Sequence, residues 1–171
     1  MLAPVPAARI GRIALIVVSV LIGGGIWIYA LFFSDAQPTD TLKDKTFPAT
    51  AEPICKAMIG HLKDADVVNI VATTPQQRAD LAAKADSIVA ATIDELATHV
   101  PTGDDGRIIT SWLGDWHAWL DDRATWEAQL RTGKDGPFNE RQRKTGEPNS
   151  QALDKLATTN DMPSCTIPFG V

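Results

Sequence analysis

The chain has 171 residues, and its charge is divided sharply between a short N-terminal part and the remainder. Residues 1–33 carry two arginines and no acidic residue, whereas residues 34–171 hold all 21 acidic and 14 of the 16 basic residues, a net charge of −7. Such an acidic region repels nucleic acid, because that binding rests on cationic contacts to phosphate, and it disfavours lying flat on anionic lipid.

A continuous apolar segment, residues 13–33, predicts one transmembrane helix. It contains no charged residue, and at about 1.5 Å per residue it spans roughly 31 Å, which matches the hydrocarbon core of a bilayer. Arg9 and Arg12 flank its N-terminal end. The positive-inside rule therefore predicts a single-pass protein of the cytoplasmic membrane, with residues 1–12 in the cytoplasm and the C-terminal domain outside.

A cleaved signal peptide is the alternative interpretation of the same segment. Ser34 and Ala36 are small residues at the spacing that signal peptidase accepts. The apolar region is longer than the 7–15 residues or so of a signal peptide, which favours an uncleaved anchor.

Two small residues in the apolar segment, Ser19 and Gly23, form a small-xxx-small pair. Such a pair can let a second membrane helix pack closely. Glycine is also simply common in membrane helices, so the pair is a candidate packing site and no more.

Beyond the anchor, residues 34–50 contain prolines and mixed charges and predict a linker. Pro53 is expected to open the first helix of the outer domain, over about residues 52–69. Apolar residues at helical spacing mark its buried side: Ile54, Met58, Ile59, Leu62 and Val68.

The second helix has a clear N-terminal signal. Thr74 can cap it, Pro75 suits the first helical position, and Gln77 completes a capping box. The helix is predicted from Gln76 to about His99, where a proline and a glycine follow.

The third helix is predicted from Asp104 or Asp105 to about Arg131, with a wide apolar face that suits packing against two partners. Residues 132–149 predict a loop that can include a short hairpin, and residues Ser150 to Ala157 predict a short fourth helix, followed by an extended tail. The expected fold is all-α: an N-terminal transmembrane helix followed by an extracytoplasmic three-helix up-down-up bundle, residues 51–171, with a loop-rich C-terminal tail.

Two cysteines, Cys55 and Cys165, both fall in the predicted outer domain. That compartment permits disulfides, and two cysteines allow one pairing. We therefore predict a disulfide that ties the C-terminal tail to the start of the first outer helix. Neither cysteine belongs to a C-x-x-C motif, which argues against a redox pair.

The histidines offer a weak candidate for a metal site. In the predicted bundle, His61 and His117 fall in one layer, and Asp121 lies one turn after His117. Zinc needs three or four ligands, so surface histidines are the favoured interpretation, and no metal or other cofactor is predicted. Sequence patterns for a serine hydrolase, a phosphate-binding glycine loop and c-type haem attachment are lacking.

Three tryptophans of the third helix, Trp112, Trp116 and Trp119, recur at helical spacing. They could line an aromatic groove for a ligand or a partner helix. A stripe of this kind is more typical of a helical core, which is the favoured interpretation.

The layout resembles small, uncharacterised membrane-anchored proteins of actinobacteria. The resemblance is carried by the run from Asp115-Trp116 through Trp119 to Asp122-Arg123, by Gly136-Pro137-Phe138, and by Met162-Pro163-Ser164-Cys165. It covers most of residues 50–171 and implies no activity, so it assigns no functional residue.

From these features we expect an extracytoplasmic interaction module or an accessory subunit of a membrane complex, and not an enzyme. Its expected partners are the lipid bilayer and other membrane proteins, with no nucleic acid. The alternatives are a ligand-sensing or solute-binding domain beside the tryptophans and, less favoured, a metal-assisted enzyme.

Overall fold

The computed structural model describes residues 40–67, 74–144 and 146–168, which belong to one compact unit. Within these residues the chain is all-helical, as predicted, with four α-helices. They are α1 (Thr46–Asp64), α2 (Pro75–Ala97), α3 (Asp104–Arg131) and α4 (Asn149–Thr159), followed by a short 3₁₀ helix (Pro163–Cys165). The predicted transmembrane helix and the Ser19–Gly23 pair lie outside the described residues. Among those residues, no helix combines the length and apolar character needed to cross a membrane.

Helix α1 begins earlier than predicted, so the proposed linker up to residue 50 was wrong at its C-terminal end. Phe47 lies in the core, and the carboxylate of Asp44 accepts a hydrogen bond from the Thr46 amide at 2.8 Å. Pro53, expected at the helix start, lies inside α1. Its missing N–H leaves one carbonyl of the preceding turn without a helical donor. That carbonyl belongs to Ala49, which is exposed and can therefore be hydrated.

The segment before α1 is held by two polar side chains from distant parts of the chain. The fully buried Asn160 accepts a hydrogen bond from the Leu42 amide at 2.7 Å and donates one to the Asp40 carbonyl at 2.8 Å. A carboxylate oxygen of Asp105 accepts from the amides of Lys43 and Asp44 at 3.0 and 2.8 Å. These hydrogen bonds satisfy backbone amide and carbonyl groups of residues 40–44, which precede α1 and have no helical hydrogen-bond partners.

Helices α2 and α3 follow the sequence prediction closely. The capping box of Thr74 and Gln77 forms as predicted and starts α2. Two ion pairs join these helices, Asp86–Arg123 and Asp80–Arg131. The earlier residue on α2 pairs with the later residue on α3, so the two helices are antiparallel.

The C-terminal segment is a structural part of the domain, which corrects the expected three-helix bundle with a loop-rich tail. Helix contacts run in a closed ring from α1 to α2, α3, α4, the 3₁₀ helix and back to α1. Leu153 and Met162 are fully buried in the same core as α1 to α3. A helix as short as α4 is marginal alone, so its packing against α3 stabilises it.

Candidate functional site

The predicted disulfide between Cys55 and Cys165 is confirmed. It joins α1 to the 3₁₀ helix with a Cα–Cα distance of 5.1 Å, and both residues are buried. Beside it, the carboxylate of Glu52 accepts hydrogen bonds from the amide and hydroxyl of Ser164 at 3.0 and 2.6 Å. The tail is therefore joined to α1 covalently and by hydrogen bonds.

The three candidate groove tryptophans lie in the core. Trp112, Trp116 and Trp119 are each at most 2% exposed, and neighbouring rings meet edge to face at centroid distances of 6.2 and 5.7 Å. The Trp112 indole donates to the Leu153 carbonyl at 3.2 Å and so attaches α3 to α4. The described residues thus contain no open groove lined by all three rings.

The weak metal candidates do not come together. His61 and His117 are both exposed, and Asp121 is exposed and lies 4.0 Å from Arg141. Over the described ranges, no group of three or more histidine, cysteine, aspartate or glutamate side chains is placed to hold a metal ion.

The loop between α3 and α4 spans residues 132–148, of which the structure describes 132–144 and 146–148, and several of the described residues contact α3. The Trp126 indole donates to the Gly136 carbonyl at 2.9 Å. Phe138 meets Trp119 and Trp126 edge to face at centroid distances of 6.0 and 5.9 Å. These contacts fix the first half of the loop.

Hydrogen bonds of Glu140 and Arg141 hold the next part of the same loop. Arg141 binds Asp122 through its backbone amide and its side chain, and it also donates to the Ala118 carbonyl. Glu140 accepts from the amide and hydroxyl of Ser150 at the start of α4, at 2.8 and 2.6 Å. The described part of the loop, residues 132–144 and 146–148, is therefore tied to α3 and α4, and it contains an isolated antiparallel β-bridge between Gln142 and Pro148.

A buried charged centre lies under this loop. Arg123 is 7% exposed, and its guanidinium lies 5.1, 5.2 and 5.4 Å from the ring centroids of Trp119, Trp126 and Phe138. Its Nε donates to both carboxylate oxygens of Asp86 on α2. Cation–π contacts of a desolvated guanidinium add to this ion pair.

Glu127 on α3 belongs to the same centre. Burial, a hydrogen bond with Asp86 and the Asp86 charge together raise its pKa from 4.5 to about 7, against the lowering effect of Arg123 and Arg131. The neutral acid is the form that this environment favours, because a second carboxylate lies next to it.

A cleft of about 280 Å³ opens between α3, the second half of the loop and α4. Its apolar floor is formed by Ile108, Trp112, Ala152 and Leu156. Its walls are polar and carry three cations and three carboxylates together with one hydroxyl: Arg107, Arg143, Lys155, Asp40, Asp115, Glu147 and Ser111. A volume near 300 Å³ is at the small end of ligand pockets.

Asp115 is the most enclosed of the three acids in the cleft, and its pKa is shifted from the usual value. Burial raises the pKa of this carboxyl, the nearby Arg143 lowers it, and Glu147 raises it. The Arg143 guanidinium lies 3.2 Å from the Asp115 carboxylate and 3.2 Å from the Glu147 carboxylate, so it forms ion pairs with both.

Sequence reasoning missed both the charged centre and the cleft. The sequence does contain a signal for the charged centre. On α2, Asp86 lies at helical spacing with the buried residues Ala82, Val89 and Ile93. On α3, Arg123 follows the buried Trp119 by four residues. Opposite charges on two facing apolar stripes indicate a buried pair. The cleft has no such signal, because its walls come from four separate parts of the chain: the segment before α1, α3, the loop and α4.

Comparisons of the chain with known protein families, with curated proteins and with solved structures give no match. The geometry of the described residues is therefore the basis for the function proposed below.

Proposed function

We propose that this protein is a membrane-anchored extracytoplasmic interaction module, or an accessory subunit of a membrane complex, and that it has no catalytic role. The observation that carries the proposal is that the described part of the 132–148 loop, residues 132–144 and 146–148, is anchored to α3 and α4 by several contacts. Loops longer than about 12–15 residues without secondary structure are uncommon, and they are usually either functional or disordered. This one is anchored to α3 and α4 by the bonds of Trp126, Arg141 and Glu140.

The outer side of the loop is the proposed contact surface. Some of its side chains bind the domain, while several others are exposed: Lys134, Asn139, Gln142 and Lys144. A loop held by such contacts loses less conformational entropy on binding than an unanchored loop would, which favours affinity. The mixed charge of this surface suits a polar protein surface as partner.

The membrane part of the proposal rests on the sequence. Residues 13–33 would anchor the domain at the outer face of the cytoplasmic membrane, with the N-terminus inside. Ser19 and Gly23 would let a partner's membrane helix pack closely, so a second contact with a membrane protein is proposed there.

Co-purification from membranes in mild detergent tests the proposal. The full chain should elute with a discrete larger complex at a constant ratio, and the double variant Gln142→Glu with Lys144→Glu should reduce that ratio at least about tenfold. Such a loss corresponds to about 1.4 kcal/mol of binding free energy. The matched control, Gln76→Glu with Lys56→Glu, makes the same charge change at exposed positions of α2 and α1. A monomeric wild type, or equal loss in both double variants, would reject the loop as the contact surface.

A second candidate function, a ligand-sensing or solute-binding domain, is favoured by the cleft between α3, the loop and α4. Trp112 contributes to its floor, although the other two candidate tryptophans do not line it. Binding pockets combine apolar lining with polar groups that fix the orientation of a ligand, and this cleft has both, with polar and charged residues in the majority.

A further inference from the structure

We propose that the buried charged centre of Asp86, Arg123 and Glu127 is a proton-controlled latch for the 132–148 loop. While its two carboxyl groups share one proton, the centre holds the first half of the loop, residues 132–139, against α3. When that proton is lost, this part of the loop is released, so binding of a partner at the loop is stronger at acidic pH. The inference rests on the proposed function, because it assigns a regulation to the same contact surface.

Phe138 is the loop residue that covers the charged centre. Its ring centroid lies 5.4 Å from the Arg123 guanidinium, and it meets Trp119 and Trp126 edge to face. The Trp126 indole also donates to the Gly136 carbonyl at 2.9 Å. The side chains that hold the first half of the loop are therefore the same ones that enclose the guanidinium, and a change at Arg123 reaches the loop through direct contact.

A single proton decides the net charge of the centre. Glu127 follows Arg123 by four residues, which is about one helical turn, and it forms a hydrogen bond with Asp86. A hydrogen bond between two carboxyl groups requires a proton on one of them. With that proton, the centre holds one carboxylate for one guanidinium. Without it, two carboxylates face a guanidinium whose residue is only 7% exposed.

The charges that act most strongly on Glu127 come from α2 and α3. Asp86 faces it from α2, and Arg123 and Arg131 face it from its own helix. Arg131 also pairs with the exposed Asp80 of α2, so part of its charge is compensated there. Neither cation is thus available to Glu127 alone.

The first half of the loop adds two charged residues, Lys134 and Asp135. Asp135 forms an ion pair with Arg78 at the start of α2. Both loop side chains are exposed, and salt in the solvent screens the charges of exposed groups. The proton shared by Asp86 and Glu127 is therefore the titrating element of the latch.

Loss of this proton should loosen the loop. It removes the hydrogen bond between the carboxyl groups and places two negative charges side by side, with Glu127 half-buried. The second carboxylate then draws in water or the nearest cation, which is the guanidinium that Phe138 covers. Either response weakens the cation–π contact between Arg123 and Phe138.

The pH range of the latch follows from Glu127. In the closed state, burial, the hydrogen bond with Asp86 and the Asp86 charge raise its pKa from 4.5 to about 7. Opening of the loop admits water and returns this pKa towards its ordinary value. Closure is therefore most favourable below about pH 4.5, and this contribution is lost as the pH rises towards 7.

Hydrogen exchange measured by NMR on the full chain in non-ionic detergent tests this inference with no partner present. The indole N–H of Trp126 is the reporter, because its bond to the Gly136 carbonyl breaks when the first half of the loop leaves α3. After correction for the intrinsic exchange rate at each pH, its protection should fall at least about tenfold from pH 5 to pH 8. Constant protection over this range would overturn the proposal.

Two variants test whether Glu127 is responsible. Glu127→Gln fixes the neutral form, so the protection of the reporter at pH 8 should stay at its value at pH 5. The matched control, Glu95→Gln, makes the same change at an exposed position of α2 and should keep the wild-type dependence on pH. Equal pH dependence in both variants would overturn the proposal, because another group would then control the loop.

The amide of Val89, which is fully buried on α2, distinguishes release of the loop from unfolding of the domain. The Trp126 indole should be less protected than this amide at pH 8, because it exchanges through local opening. Equal protection of the two at both pH values would mean that only complete unfolding exposes the indole, and this would also overturn the latch.

These measurements use the chain alone, so their outcome is separate from that of the co-purification experiment. Constant protection of Trp126 rejects the latch and leaves the proposed contact surface standing. A monomeric wild type in the co-purification rejects the contact surface and leaves the latch standing.

Discussion

Arg123 on α3 donates through its Nε to both carboxylate oxygens of Asp86 on α2, at 3.1 and 3.0 Å, in a site where both side chains are about one-tenth exposed or less. Each residue occupies a position on the apolar stripe of its helix. The pair joins the two longest helices and lies beneath Phe138, so it also supports the loop that we propose as a contact surface.

Removing one partner of this pair should destabilise the domain strongly. Asp86→Asn removes the carboxylate that the Nε of the buried Arg123 guanidinium binds, for which we expect a loss of about 3–5 kcal/mol. The control is Asp80→Asn in the exposed pair with Arg131 on the same two helices. It should cost no more than about 1 kcal/mol. Urea unfolding followed by circular dichroism measures both, and similar losses in the two variants would contradict a special role for the buried pair.

Glu127 should make the stability of the domain depend on pH. Its folded pKa is raised from 4.5 to about 7, chiefly by burial. The acid form is therefore stabilised by folding, and this contribution is complete below about pH 4.5 and lost as the pH rises towards 7. Glu127→Gln keeps the neutral form at every pH, so the variant should gain stability relative to wild type between pH 5 and pH 8.

The measurement is the free energy of unfolding of wild type and Glu127→Gln at those two pH values. The contributions of acids that do not contact Glu127 are the same in both proteins and cancel in the difference. A difference that stays constant with pH would show that this carboxyl titrates normally in the folded protein.

The disulfide should contribute substantially to stability, since it closes a loop of 110 residues. Chain entropy alone predicts about 4–5 kcal/mol for such a loop, and removal of a native disulfide typically costs about 2–5 kcal/mol. Replacing Cys55 and Cys165 together by alanine should lower the denaturant midpoint accordingly. Wild type treated with reductant should behave in the same way, and unchanged midpoints in both would argue against the bond in solution.

Two glycines of α3 should respond oppositely to alanine. A Cβ at Gly106 would collide with the carbonyl oxygen of Pro101, a backbone atom that has little room to move. Gly106→Ala should therefore cost about 1–3 kcal/mol. At Gly114 a Cβ would meet no atom within 4 Å, so Gly114→Ala should stabilise the helix by about 0.5–1 kcal/mol. Thermal unfolding of both variants tests this, and destabilisation by both would point to a general intolerance of α3.

Local signals in the sequence were sufficient to predict much of the helical domain. The Thr74–Gln77 capping box fixed the start of α2, because capping depends on residues three apart. The start of α3 at Asp104 and its end at Arg131 followed from the apolar period and the flanking glycines. The pairing of Cys55 with Cys165 followed from there being only two cysteines.

Other features depend on residues that are distant along the chain, and these only the tertiary structure decided. Helix α1 starts at Thr46 because Leu42 and Phe47 find a core that is partly built by Asn160 and the C-terminal segment. The short α4 closes the domain because Leu153 and Met162 fill space left by the longer helices. The cleft at Asp115 exists because Arg143 and Lys155 come to the face of α3 from the loop and from α4. The helical periodicity of apolar residues predicts which face of each helix is buried. Only the packing of residues that are distant along the chain determines which of these faces contact one another.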